Sequence, residues 1–178
     1  MTTDARQIVL EETRARAHRR CFACGNRNGQ AARLQFAARG DGSVEASFVG
    51  RKSDQGYDRI LHGGVVATLL DATMTNYLLM LGRSGLTAEL NVRFRHPVRT
   101  GRRTIIRVWV ERDAAPLFVL RAEASQDGQR RATATGKFLA PAAMPWENAK
   151  PGVDQHACVN GHCDGQDDAP QRRKGEHA

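Results

Sequence analysis

His62-Gly63-Gly64, then Asp71, then Thr87 are residue types that could do proton-transfer chemistry on a polarised carbonyl. The first turn of a helix offers unpaired N–H groups and the positive end of its dipole. Gly63 and Gly64 carry no side chain, so a carbonyl oxygen could approach such amides closely. The plainer reading of the two glycines is a tight turn that needs positive φ. Asp71 is the one charged residue in the apolar run from Val65 to Leu81. A carboxylate buried there is either paired or raised in pKa, and a raised pKa suits a general base or a nucleophile. It could equally be an aspartate satisfied structurally, by Thr87 or a backbone N–H. The Thr87 hydroxyl could orient a water for Asp71, although threonine at the start of a strand is also simply a strand former. His62 reads as a donor that steadies the loop or as a contact to the reacting group. Arg93, Arg95, Arg99, Arg102 and Arg103 gather around Pro97, which suits phosphate groups or a solvated strand end.

Cys21 and Cys24 form a CxxC, while Cys158 and Cys163 stand near His156 and His162. Without a secretory signal, such thiols point to metal or to unoxidised cysteine before disulfide. A zinc site with His18 or His162 would need the C-terminal segment to return to residues 21–24. The expectation is therefore buried or idle thiols, with no metal and no cofactor.

The elements that must position these residues follow from periodicity. Residues 1–20 read as an arginine-rich, partly amphipathic helical arm, and 25–29 as a loop. Arg33–Ala38 and Val44–Val49 read as strands, and 50–61 as a polar loop. Residues 63–82 form a long helix that is apolar on nearly every side and hence buried, with Gly82 ending it. Leu86, Ala88, Leu90, Val92 and Phe94 alternate with polar residues, a strand with one buried face. Thr104–Val110, Leu117–Ser125 and Ala132–Leu139 follow with turn-length links. Consecutive strands so linked make an antiparallel sheet. The simplest architecture is α+β: a curved antiparallel sheet wrapped around one long central helix. The domain is expected at 21–146. The segment 147–178 is polar and lacks periodicity, so disorder is expected there.

The run Leu61-His62-Gly63-Gly64-Val65-Val66-Ala67-Thr68-Leu69-Leu70-Asp71 resembles the helix start of PaaI-type hotdog acyl-CoA thioesterases. The run from Thr87 to Pro97 resembles the strand after that helix. Cys21-Phe22-Ala23-Cys24-Gly25, followed by Arg33-Leu34-Gln35-Phe36, is similar to the opening of one branch. The resemblance covers about residues 20–140. It implies a hotdog fold, cleavage of acyl-CoA thioesters, and a homo-oligomer that is a dimer or a dimer of dimers. It puts the catalytic carboxylate on Asp71, the oxyanion-binding amide on Gly63, the water-orienting hydroxyl on Thr87 and the helix-leading histidine on His62. Substrate-binding positions fall on Gly64, Gln55, Gly56, Arg93 and Arg95. Many members carry an asparagine six residues before the histidine. Gly56 stands there, so either Gln55 substitutes or the contact is lost.

Composition bounds the alternatives. The chain has 178 residues, 40% of them hydrophobic, which suits one packed core plus tails. No apolar stretch is long enough to span a membrane, and no signal or presequence pattern opens the chain, so the cytoplasm is the default compartment. The net charge of +8 suggests an anionic partner. No recognition helix or RNA-binding pattern accompanies it, so neither nucleic acid nor membrane is expected as a partner. The rival readings are a non-catalytic acyl-CoA sensor with the N-terminal helix as a contact arm, and a hydratase. The second needs a histidine base paired with an acid in an arrangement that neither His62 nor His96 fits.

Overall fold

The structure, a computed structural model, describes residues 1–25, 27 and 34–140. Helix α1 (Thr3–Ala17) opens the chain; Thr2 caps it by accepting from the Ala5 N–H. Then come β1 (Gln35–Ala38), β2 (Val44–Val49), a 3-10 turn at Lys52–Asp54, β3 (Gln55–Tyr57) and β4 (Ile60–Leu61). Helix α2 (Gly63–Met80) is followed by β5 (Leu86–Phe94), β6 (Arg103–Ala114), β7 (Leu117–Gln126) and β8 (Gln129–Leu139). Six strands make one sheet in the order β1-β2-β6-β7-β8-β5, and every neighbouring pair is antiparallel. Helix α2 touches every strand of that sheet. This is the expected sheet around a central helix.

The core lies between α2 and the inner face of the sheet. Leu69, Leu70, Met74, Leu78 and Leu79 meet Ile106, Val108, Phe118, Leu120 and Phe138, all fully or almost fully buried. Burial of apolar surface on this scale is the main force holding the sheet to the helix. Where β8 passes under α2, Gly136 clears the way: a Cβ there would lie 2.7 Å from Met74 Sδ. Gly82, at φ +70°, ends α2, with the Gly82 and Arg83 amides closing onto the Leu79 and Leu78 carbonyls. Helix α1 packs on α2, and its Leu10 is fully buried in the same core.

Two local expectations change. The 50–61 segment is not an unstructured loop but carries the 3-10 turn and the small β3–β4 hairpin. Strand β5 keeps its expected bounds but buries neither face: Leu86 and Phe94 are about half exposed, and Leu90 and Val92 only partly covered. Among the described residues the strand ends the sheet with one edge unpaired, so its apolar side chains have described sheet on one side only. Residues 147–178, with Cys158, Cys163, His156 and His162, lie outside the described residues. No helix among the described residues is long and apolar enough to cross a membrane.

Candidate active site

The start of α2 is an ordinary helix N-terminus, not a positive-φ turn. Gly63 and Gly64 are its first two residues, and neither has positive φ. His62 is the N-cap: its Nδ1 accepts from the Gly64 N–H at 3.0 Å. It acts here as an acceptor, so the donor role read from sequence gives way to a capping role. The ring proton must then sit on Nε2. The Gly64 amide is thereby used. The Gly63 amide has no hydrogen-bond partner among the described residues and stands at the positive end of the helix.

That amide opens on a groove of about 490 Å³. Gly56, Tyr57, His62, Gly63, Phe94 and Arg95 are among the residues that line it. Gly56 packs tightly on His62, for a Cβ there would stand 3.1 Å from the ring. Gln55 is not among the residues lining this groove. Its Oε1 accepts from the Arg59 N–H at 3.2 Å, holding the β3–β4 turn in which Arg59 has φ +57°. Arg93 does not line this groove.

Two turns along α2, Asp71 is half-buried, and Thr87 Oγ1 donates to its Oδ1 at 2.7 Å. Burial pushes the Asp71 carboxyl above its ordinary range. The Thr87 hydrogen bond pulls the other way, the Cys21 charge adds to the rise, and His18 opposes it. The pair that sequence left open, structural or catalytic, is thus formed. Asp71 is also kept basic, as proton transfer requires. Asp71 and Thr87 are not among the residues lining the groove at Gly63.

Cys21 and Cys24 are not separate buried thiols. With His18 they form a cluster whose donor atoms all lie within 4.8 Å of one another. Hydrogen bonding to Cys24, then to His18, lowers the Cys21 thiol to about 3, and the same contact with burial raises Cys24. CxxC was the available signal. His18, three residues earlier, was a candidate ligand beside it, and the three come together without any part from the C-terminal segment.

Residues 59–133 match the thioesterase superfamily. No curated protein matches the chain. Among solved structures, a phenylacetic acid degradation-related protein from Ralstonia eutropha is 25% identical, with a TM-score of 0.57 over 63% of this chain and 94% of that one. The PaaI protein of the Escherichia coli phenylacetic acid degradation operon is 12% identical, with a TM-score of 0.67 over 81% and 99%. A hypothetical thioesterase protein from Streptococcus pneumoniae, solved with coenzyme A, is 19% identical, with a TM-score of 0.57 over 60% and 87%. The chain spans 61% of the length of a further match, a thioesterase superfamily protein. Two more structures of the pneumococcal protein carry alanine in place of a threonine and in place of an aspartate. The fold is thus the hotdog of these structures, and residues 59–133 are similar to the thioesterase superfamily. Within that superfamily its likeness is to the PaaI type.

Proposed function

We propose that this domain hydrolyses acyl-CoA thioesters with Asp71 as general base. The observation that carries the reading is the Thr87–Asp71 hydrogen bond on a half-buried, basic carboxylate. A water held by Thr87 gives its proton to Asp71 and attacks the thioester carbonyl carbon. The oxyanion that develops is taken by the Gly63 amide. Collapse breaks the C–S bond, and the proton on Asp71 passes to the leaving thiolate of coenzyme A. The coenzyme A in the pneumococcal relative supports the substrate class.

The site is completed by two subunits. Gly63 and Asp71 are eight residues apart on one helix, hence roughly 12 Å along its axis. An oxyanion donor must come within about 3 Å, and a base acts across one hydrogen bond or one water. One helix does not bring both groups to one carbonyl. The separation of the groove from Asp71, and the uncovered β5, support a two-fold homo-oligomer in which Gly63 of one helix faces Asp71 of the other. Arg95 and Phe94 at the groove then meet the coenzyme and the acyl chain. The sensor reading loses its extended arm, because Leu10 fixes α1 to the core.

The test is hydrolysis of a panel of short, medium, long and aromatic acyl-CoAs by the wild type and by Asp71→Asn. Turnover of at least one substrate is expected from the wild type only. Binding without turnover would return the protein to the sensor class. Wild-type turnover by a folded Asp71→Asn protein would remove Asp71 from the chemistry.

A further inference from the structure

The segment that leaves α1 folds back on itself. The Cys21 amide donates to the His18 carbonyl at 3.0 Å, and the Gly25 amide to the Cys21 carbonyl at 2.9 Å. The Arg27 amide reaches the Arg19 carbonyl at 2.8 Å. The turn is so close that a Cβ on Gly25 would lie 2.5 Å from the Cys21 nitrogen and 2.7 Å from the Arg19 oxygen, so only glycine fits. The product of this folding is one cluster: His18 Nδ1 stands 3.7 Å from Cys24 Sγ, with Cys21 Sγ alongside.

That spacing, which suits a thiol–imidazole hydrogen bond, also matches a coordination edge. With Zn–S near 2.3 Å and Zn–N near 2.05 Å, the sulfur–nitrogen edge of a tetrahedron is about 3.6 Å. The sulfurs are also oriented by donors. The Ala23 and Cys24 backbone amides bond Cys21. From α2, Asn76 Nδ2 donates to Cys24 Sγ at 3.5 Å and to the Ala72 carbonyl at 2.7 Å. Asn76 is fully buried, and its Oδ1 has no partner among the described residues. A buried amide left half-satisfied is costly, and here one of its two hydrogens goes to a sulfur. Outer hydrogen bonds of this kind fix metal ligands in place.

We propose that His18, Cys21 and Cys24 bind a thiophilic divalent ion of the zinc class, with the fourth position open to water or an external thiolate. The ion ties the turn after α1 to α2, on the helix that carries Asp71. The proposal rests on this cluster alone and does not depend on thioester hydrolysis.

The test uses the full chain, purified under reducing conditions in zinc-supplemented buffer, with elemental analysis of the metal. The expected content is about one zinc per chain, since the three donors make a single site. Cys21→Ser, Cys24→Ser and His18→Ala should each lose it, whereas the Cys158→Ser/Cys163→Ser double variant should keep it. His18 ends a helix at the surface, so its variant should fold whatever becomes of the cysteines. Replacement by cobalt should give thiolate-to-metal charge transfer and the strong visible bands of a tetrahedral site. Chelation should lower the melting temperature of the wild type but not of His18→Ala. Overturning results are a reduced wild type that takes up neither zinc nor cobalt, a Cys21–Cys24 disulfide that persists under reduction, or metal retained in Cys21→Ser and lost in the double variant.

Discussion

Burial holds the Asp71 carboxyl above the usual aspartate range even though Thr87 donates to it. The sign of the stability effect follows from linkage. A group whose folded pKa is raised favours the folded state below its unfolded pKa, and that advantage is lost as pH rises through the folded pKa. Above the unfolded pKa, Asp71 therefore costs stability. Asp71→Asn should melt above the wild type at pH 7, and the gap should close at pH values below the ordinary aspartate range. A gap that widens toward acid would show a carboxylate stabilised by its surroundings instead. For the same reason kcat/KM should rise on its acid limb at a pH above the usual aspartate range. Thr87→Val should lower kcat more than it raises KM, because the hydroxyl acts on the water and not on coenzyme A. An unchanged kcat would leave Thr87 a strand residue. Asp71 and Thr87 were legible as a pair because a lone carboxylate in an apolar helix demands a partner. The capping role of His62 was not, since it depends on the backbone angles at the helix entry. His18 was legible as a candidate ligand beside the CxxC, but the closure of the cluster was not, because it is made by a turn and by Asn76 some fifty residues away.

Among the elements, α2 shows what periodicity can and cannot supply. Its all-round apolar character announced a buried helix, and Gly82 its end. The bounds of β2 and β5 also followed from alternation and turn residues. The β3–β4 hairpin escaped because strands of three and two residues are too short to show a period. The glycine in β8 carries a testable packing role. Gly136→Ala would press a methyl group on Met74 Sδ and the Phe138 ring, each 2.7 Å away. Overpacking of this kind costs about 1–3 kcal/mol, which should appear as a lowered urea midpoint with an unchanged m-value. An unchanged midpoint would mean that Met74 turns aside without loss.

At the scale of the whole molecule, the net charge of +8 suggested an anionic partner, which fits the phosphate-bearing coenzyme of the proposed substrate, and the ion pairs on the surface leave that excess unchanged. Arg107 binds Asp41, Arg39 binds Glu45, Arg121 binds Glu111, Arg130 binds Glu123 and Lys137 binds Glu89. The paired face of β5 could not be read as uncovered, because alternation reports which side chains are apolar and not what covers them. The shared-site proposal is tested by mixing two inactive proteins, Asp71→Ala and Gly63→Pro. Proline suits the first position of a helix and deletes only the N–H there. After subunit exchange, activity should return, since one of the two sites in each heterodimer has an intact Gly63 and an intact Asp71. Exchange without activity, or an active monomer, would refute the shared site.

The edge of β5, unpaired among the described residues, bears on how this protein can change over time. A strand of nine residues with exposed Leu86 and Phe94 at its ends is a template for any other extended chain. If a partner subunit covers that surface, solubility and activity are secured by the same residues. A lineage drifting toward a monomer would then lose both together, and its way back would be obstructed by aggregation. Escape would require charged residues or proline on β5 first, before the partner is given up.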